Sequence, residues 1–74
     1  MDNMQITILL ERMQQHNVTN LVVYTTGGQR FPGIVQPPED GMGTLDLLLH
    51  AGSVVKIAYP AIEAVEIVWP ISRA

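Results

Sequence analysis

Glu39 and Asp40, adjacent carboxylates between Pro38 and Gly41, are residue types that could hold a metal or act as an acid/base pair. Their setting argues against both uses, because neighbouring acids in a Pro/Gly-rich loop are ordinarily solvated. His16 and His50 are the only imidazoles, and the chain has no cysteine. Neither histidine stands near the other, so neither nucleophilic catalysis nor a structural zinc site is expected. The expectation is no enzyme, no metal and no cofactor. What remains is the chemistry of binding. Arg30 and Lys56 can each contact a phosphate, or serve as a solvated strand residue or one half of an intersubunit ion pair. Tyr59 can stack on a nucleobase, worth about 1–3 kcal/mol, or fill a core or interface beside Pro60. Trp69, just before Pro70, is expected to pack over one end of the fold or a neighbouring subunit, with base stacking as the other use of its ring.

Short strands have to carry these side chains. Residues 21–24, 31–35, 45–49, 54–58 and 64–68 are apolar runs of strand length bounded by Gly, Pro or Asn. A helix comes first. Asp2 and Gln5 have the spacing of a capping box, and Ile6, Leu9, Leu10 and Met13 recur at three and four. That pattern predicts a helix over about residues 3–16 with one apolar stripe, stopping at Asn17. Its wet face, Glu11, Arg12, Gln14 and Gln15, lacks the basic residues of a membrane-surface helix, so the stripe should cap an open end of the sheet.

The first strand alternates only loosely, which predicts cover on both faces. Thr26-Gly27-Gly28-Gln29 reads as a hairpin turn, and Pro32-Gly33 as a kink or bulge inside the second strand. Gln36 to Gly43 is the long loop. The third strand is expected over 44–51 and the fourth over 54–59, joined by a tight Ala51-Gly52-Ser53 turn. Pro60-Ala61-Ile62 allows about one helical turn before the last strand, which Pro70 ends.

Seventy-four residues make one domain, residues 1–74, and a chain of this size buries only about 60% of its unfolded surface. With no disulfide available, and 47% hydrophobic against 15% charged residues, oligomerisation is the expected source of stability. The one-turn link lets the final strand cross to the other side of the curled sheet. The fourth and fifth strands then keep open edges, which pair between copies in a heterologous contact that can close into a ring. A net charge of −3 argues against nonspecific attraction to nucleic acid. A ring nevertheless repeats Arg12, Arg30, Lys56 and Arg73 in every copy, so a local basic circle can coexist with an acidic whole. No run approaches the roughly 18 apolar residues of a membrane span, and Met1-Asp2-Asn3 lacks the basic start of a signal peptide. A cytoplasmic location is expected.

In order and spacing these features resemble the Sm-like proteins, including the bacterial Hfq branch, over almost the whole chain. Gly28-Gln29-Arg30-Phe31-Pro32-Gly33 resembles the family's second-strand pattern of glycine, basic, apolar and glycine. Leu45-Asp46-Leu47-Leu48-Leu49 resembles its third-strand motif, and Tyr59-Pro60-Ala61-Ile62 with Val65 and Ile67 falls where its short turn and last strand lie. The resemblance implies a mainly β fold with an N-terminal helix: a five-stranded, strongly bent antiparallel open barrel of the Sm-like, SH3-like kind over about residues 20–69.

It further implies a homo-oligomeric ring of about five to seven subunits, joined fourth strand to fifth, that binds single-stranded RNA as a riboregulator or chaperone does. The pocket it implies would draw on Thr44 and Leu45, on Asp46 where the family carries Asn, and on Tyr59-Pro60 in place of a basic pair. Lys56 and Arg30 are the candidate phosphate contacts. Gln5 stands at the helix start, where family members often contact RNA, although its capping role accounts for it without a ligand. An Asp repels phosphate, so these departures favour a second reading: a structural or protein-binding ring that kept the barrel and lost the nucleotide pocket.

Overall fold

A computed structural model describes residues 1–37 and 43–70, so the Glu39 and Asp40 pair and most of the loop around it lie outside the described residues. The chain begins with α1 (Asn3–Gln15). Its start follows from Asp2 and Gln5. The Gln5 N–H donates to Asp2 Oδ1 (2.8 Å) and the Asp2 N–H to Gln5 Oε1 (3.0 Å), a reciprocal cap on amides that the first turn leaves open. Its end follows from Asn17, whose φ of 54° lies in the left-handed region that Asn tolerates. From there the Asn17 N–H donates to the Gln14 carbonyl (3.1 Å) and the Val18 N–H to the Met13 carbonyl (2.9 Å), a Schellman closure. Met13 and Val18 are both buried, so the cap delivers the chain directly into the core.

Five strands follow: β1 (Asn20–Thr25), β2 (Arg30–Gln36), β3 (Thr44–Leu48), β4 (Val54–Ala58) and β5 (Ile62–Ile67), with a 3-10 turn at Tyr59–Ala61. They form one antiparallel sheet in the order β4-β3-β2-β1-β5. The sheet does not close on itself, and β4 and β5 are its two edges. β3 and β4 are shorter than the sequence predicts, because the hairpin loop already begins beyond Leu49 and Tyr59 already belongs to the 3-10 turn.

The β1–β2 and β3–β4 hairpins use the same loop. The Thr25 N–H donates to the Gln29 carbonyl and the Gly28 N–H to the Thr25 carbonyl; likewise the Leu49 N–H donates to Ser53 and the Gly52 N–H to Leu49. In each case the third loop residue is a glycine at positive φ, 84° for Gly28 and 91° for Gly52. That is the three-residue hairpin loop with a left-handed closing position, and it leaves the register no choice.

Leu21 and Val23 of β1, Leu45 and Leu47 of β3 and Ile57 of β4 share one face, where they meet Ile6, Met13, Val18 and Ile62. The helix stripe therefore covers this core, with Leu9 and Leu10 at its margin. Val22 is buried too, although it points to the opposite face, so β1 is covered on both sides. Thr25, Gly27 and Phe31 line one cleft together with Val55, Ile57 and Ala58. Since β4 is two strands away from β2 in the sheet order, the sheet must curl to bring them together.

β2 serves two partners. It pairs with β1 over residues 30–34 and with β3 over 34–36. Hydrogen bonds from the Val35 N–H to Thr19 and from the Thr25 N–H to Gln29 fix the alternation along β1 and β2. Pro32 falls at a position that faces away from β1 and precedes the first β3 pair, so its missing donor costs no ladder bond. One residue later, a Cβ on Gly33 would lie 2.8 Å from the Leu48 carbonyl oxygen and 3.3 Å from Leu47 Cβ. Gly33→Ala is expected to destabilise the protein by about 1–3 kcal/mol, read as a lower urea midpoint. Gly27→Ala, whose new methyl meets nothing nearer than 3.8 Å, should shift the midpoint far less, and equal shifts would refute the crowding argument.

Candidate functional site

Asp46 sits in the middle of β3 on the face opposite the core, with Gln36 of β2 on one side and Lys56 of β4 on the other. The hydrogen bonds at Leu49/Ser53 and Gly43/Tyr59 make Asp46/Lys56 a non-hydrogen-bonded pair, the kind that brings facing side chains closest. Lys56 Nζ donates to Asp46 Oδ2 at 3.0 Å, and Thr44 Oγ1 donates to Asp46 Oδ1 at 2.9 Å. Asp46 is 3% exposed, while the Lys56 side chain is half in solvent. Both carboxylate oxygens are engaged, and the buried charge is compensated.

Three residues expected around a base pocket thus come together, but they satisfy one another. Leu45 belongs to the core and has no surface to offer a ligand. Tyr59 is half-buried against that core, its N–H bonded to the Gly43 carbonyl. Gln5 is used in the helix cap. Nearby, the Met1 amino group donates to the carbonyls of Tyr59 (3.0 Å) and Ile62 (2.6 Å), which ties the start of α1 to the turn before β5.

Arg30 lies elsewhere on the outer face, directly opposite Tyr24. Here too the pair is of the non-hydrogen-bonded kind, since Thr25/Gln29 is bonded. Arg30 is exposed and Tyr24 half-buried. Tyr24 Oη donates to Glu66 Oε1 of β5 at 3.2 Å, which orients the ring on the sheet. An aromatic ring on an open sheet face, with an arginine at the facing position, can stack a planar base and contact the adjoining phosphate. Tyr24 is absent from the residues singled out in the sequence. Its signal was the hairpin loop, because a Gly28 closing position places residue 24 across from residue 30.

Trp69 meets His16 edge to face, with ring centroids 5.3 Å apart and planes at 86°. It is half-exposed, and it joins the end of the sheet to the end of the helix. His50 lies exposed in the β3–β4 loop. Among the described residues no group of three or more His, Asp or Glu comes together as a metal site, and no helix is long and apolar enough to cross a membrane. Compared with protein-family models, characterised proteins and solved structures, the chain matches none of them.

Lys56→Met leaves the buried Asp46 carboxylate with Thr44 as its remaining bonded partner named above. The expected loss is about 1–3 kcal/mol, towards the lower end because solvent screens the half-exposed ammonium. Combining it with Asp46→Leu should recover most of that loss, since an apolar pair needs no compensation. Urea midpoints of the two variants check this, and a double variant less stable than Lys56→Met would overturn it.

Proposed function

We propose that the chain is a protomer of an Sm-like homo-oligomeric ring that binds single-stranded RNA on the outer face of its sheet. The observation that carries the RNA reading is the placement of Tyr24 and Arg30 as facing partners on that face. Tyr24 supplies the stacking surface and Arg30 the phosphate contact. The Thr44, Asp46 and Lys56 cluster takes no part in base reading, because its charges are spent on each other. With a net charge of −3 per copy, affinity depends on repetition of a local site around the assembly.

The ring reading rests on the strand order and the edges. A helix followed by five antiparallel strands, with a glycine where β2 changes partner and with β4 and β5 outermost, fits the strongly bent open barrel of the Sm-like proteins. On β4 the backbone groups of Val54 and Ala58 point away from β3. On β5 those of Val65 and Ile67 point away from β1, since the Val68 N–H to Asn20 bond fixes the alternation. The two edges differ in sequence, so β4 of one copy against β5 of the next is a heterologous contact, which closes into a ring of about five to seven copies. The ring is cytoplasmic and is not an enzyme. The Asp46–Lys56 pair favours a second reading, a structural or protein-binding ring without a nucleotide site.

Native mass spectrometry with short A-rich and U-rich RNAs separates these readings. The expected spectrum is a closed ring that gains RNA, with Tyr24→Ala and Arg30→Ala each weakening binding about tenfold or more while the ring persists. A ring that stays bare at low salt supports the second reading, and a monomer overturns the assembly. Ala58→Pro gives an independent check on the edge. Ala58 has φ −63°, which proline adopts without strain, and its N–H faces away from β3. The variant should fold as a protomer and assemble poorly; a ring as stable as the parent would exclude β4 from the interface.

A further inference from the structure

We propose that Glu66 makes the Tyr24 site selective for guanine, by presenting its carboxylate to the edge of a base stacked on the tyrosine ring. The inference rests on the RNA reading of Tyr24 and Arg30 and names the base that they take. Tyr24 lies on β1, between two strands. Arg30 of β2 faces it on one side and Ala64 of β5 on the other, with Glu66 two residues further along β5 on the same face. The Tyr24 hydroxyl donates to Glu66 Oε1 at 3.2 Å, so the polar tip of the ring is turned towards β5 and away from β2.

The site therefore has two chemically different ends. A cationic residue belongs to the β2 side and a carboxylate to the β5 side, on strands two spacings, or about 10 Å, apart. A nucleotide has a matching polarity, with its phosphate at one end and its Watson–Crick edge at the other. A base stacked on Tyr24 with its phosphate at Arg30 directs that edge towards Glu66. The way is open, because Glu66 is exposed and the residue directly across from Tyr24 on β5 is an alanine.

A carboxylate can only accept hydrogen bonds, and both of its oxygens keep a lone pair when the Tyr24 hydroxyl occupies one. Guanine meets it with two adjacent donors, N1–H and the 2-amino group, which suit a bidentate, charge-assisted pair. The other bases fit less well. Adenine sets its N1 lone pair, and cytosine its N3 lone pair, against the negative charge beside a single amino donor. Uracil flanks its one N–H with two carbonyl oxygens. Each mismatch places an acceptor against an acceptor, so it loses more than the missing bond.

The test is competition binding, read by fluorescence anisotropy, of the parent protein and Glu66→Gln. The competitors are a short uridine RNA and its two derivatives with guanine or hypoxanthine at the central position, hypoxanthine being guanine without the 2-amino donor. The Glu66 backbone bonds to β1 and not to the open edge, so the substitution spares the edge, and sedimentation velocity checks that the assembly persists. The parent is expected to favour guanine over uracil about fivefold or more, and to give up part of that preference with hypoxanthine. In Glu66→Gln the three RNAs should fall within about twofold of one another. A parent indifferent to the central base overturns the inference and leaves stacking on Tyr24 intact. A variant that keeps the guanine preference overturns it, as does one that weakens all three RNAs by the same factor, which marks a structural role for Glu66. A parent that binds none of the RNAs removes the RNA reading and this inference together.

Discussion

The Leu48 carbonyl oxygen occupies the place where Gly33 would carry a side chain. That close approach lets β2 hand over from β1 to β3 within a single strand, and much of the rest depends on it. In a chain with 74 residues and no cysteine, the described residues offer one sheet and one long helix from which to enclose a core. A flat sheet would leave one broad face to be covered by α1 alone. A sheet that turns where β2 changes partner lets its own strands wall the core, and the helix stripe closes what is left. The same turn leaves β4 and β5 with one neighbour each, so the economy that makes so small a core workable also creates two open edges.

Two of the pairings on the outer face are decided by two loops. Gly28 and Gly52 occupy the same position in hairpins of the same length, and each converts a local backbone preference into a long-range pairing. One hairpin sets a tyrosine opposite an arginine; the other sets an aspartate opposite a lysine. The outcomes differ in character. Tyr24 and Arg30 keep surface that a planar, anionic ligand could use, whereas Asp46 and Lys56 are turned towards each other. A chain that is acidic overall can therefore present a local cation on one part of the sheet and hold another against a buried acid.

Much of this was legible in the sequence because its causes are local. The capping residues, the Asn17 stop and the strand runs all depend on neighbours within a few positions, whereas the kink or bulge expected at Pro32-Gly33 leaves the register of β2 against β1 and β3 unbroken and marks instead where β2 changes partner. The open edges of β4 and β5 were legible from the one-turn link between them. Leu45 was harder to place, since the resemblance put it near a ligand, while the strict alternation of β3 puts it in the core beside Leu47. Asp46 offered no warning of its burial, and its bonded partners are Thr44 and a lysine ten positions away. Tyr24 was within reach of a careful register argument, but composition and strand propensity alone do not distinguish it from a filler of the sheet.

Trp69 is the chain's single tryptophan, and its contact with His16 spans the junction between the end of β5 and the end of α1. The molecule therefore carries one indole fluorophore, placed where its lid meets its walls. Emission from that indole reports on one boundary, free of any average over several chromophores of its kind. Undocking of the helix, which leaves the sheet's hydrogen bonds in place, becomes optically distinct from loss of the sheet itself.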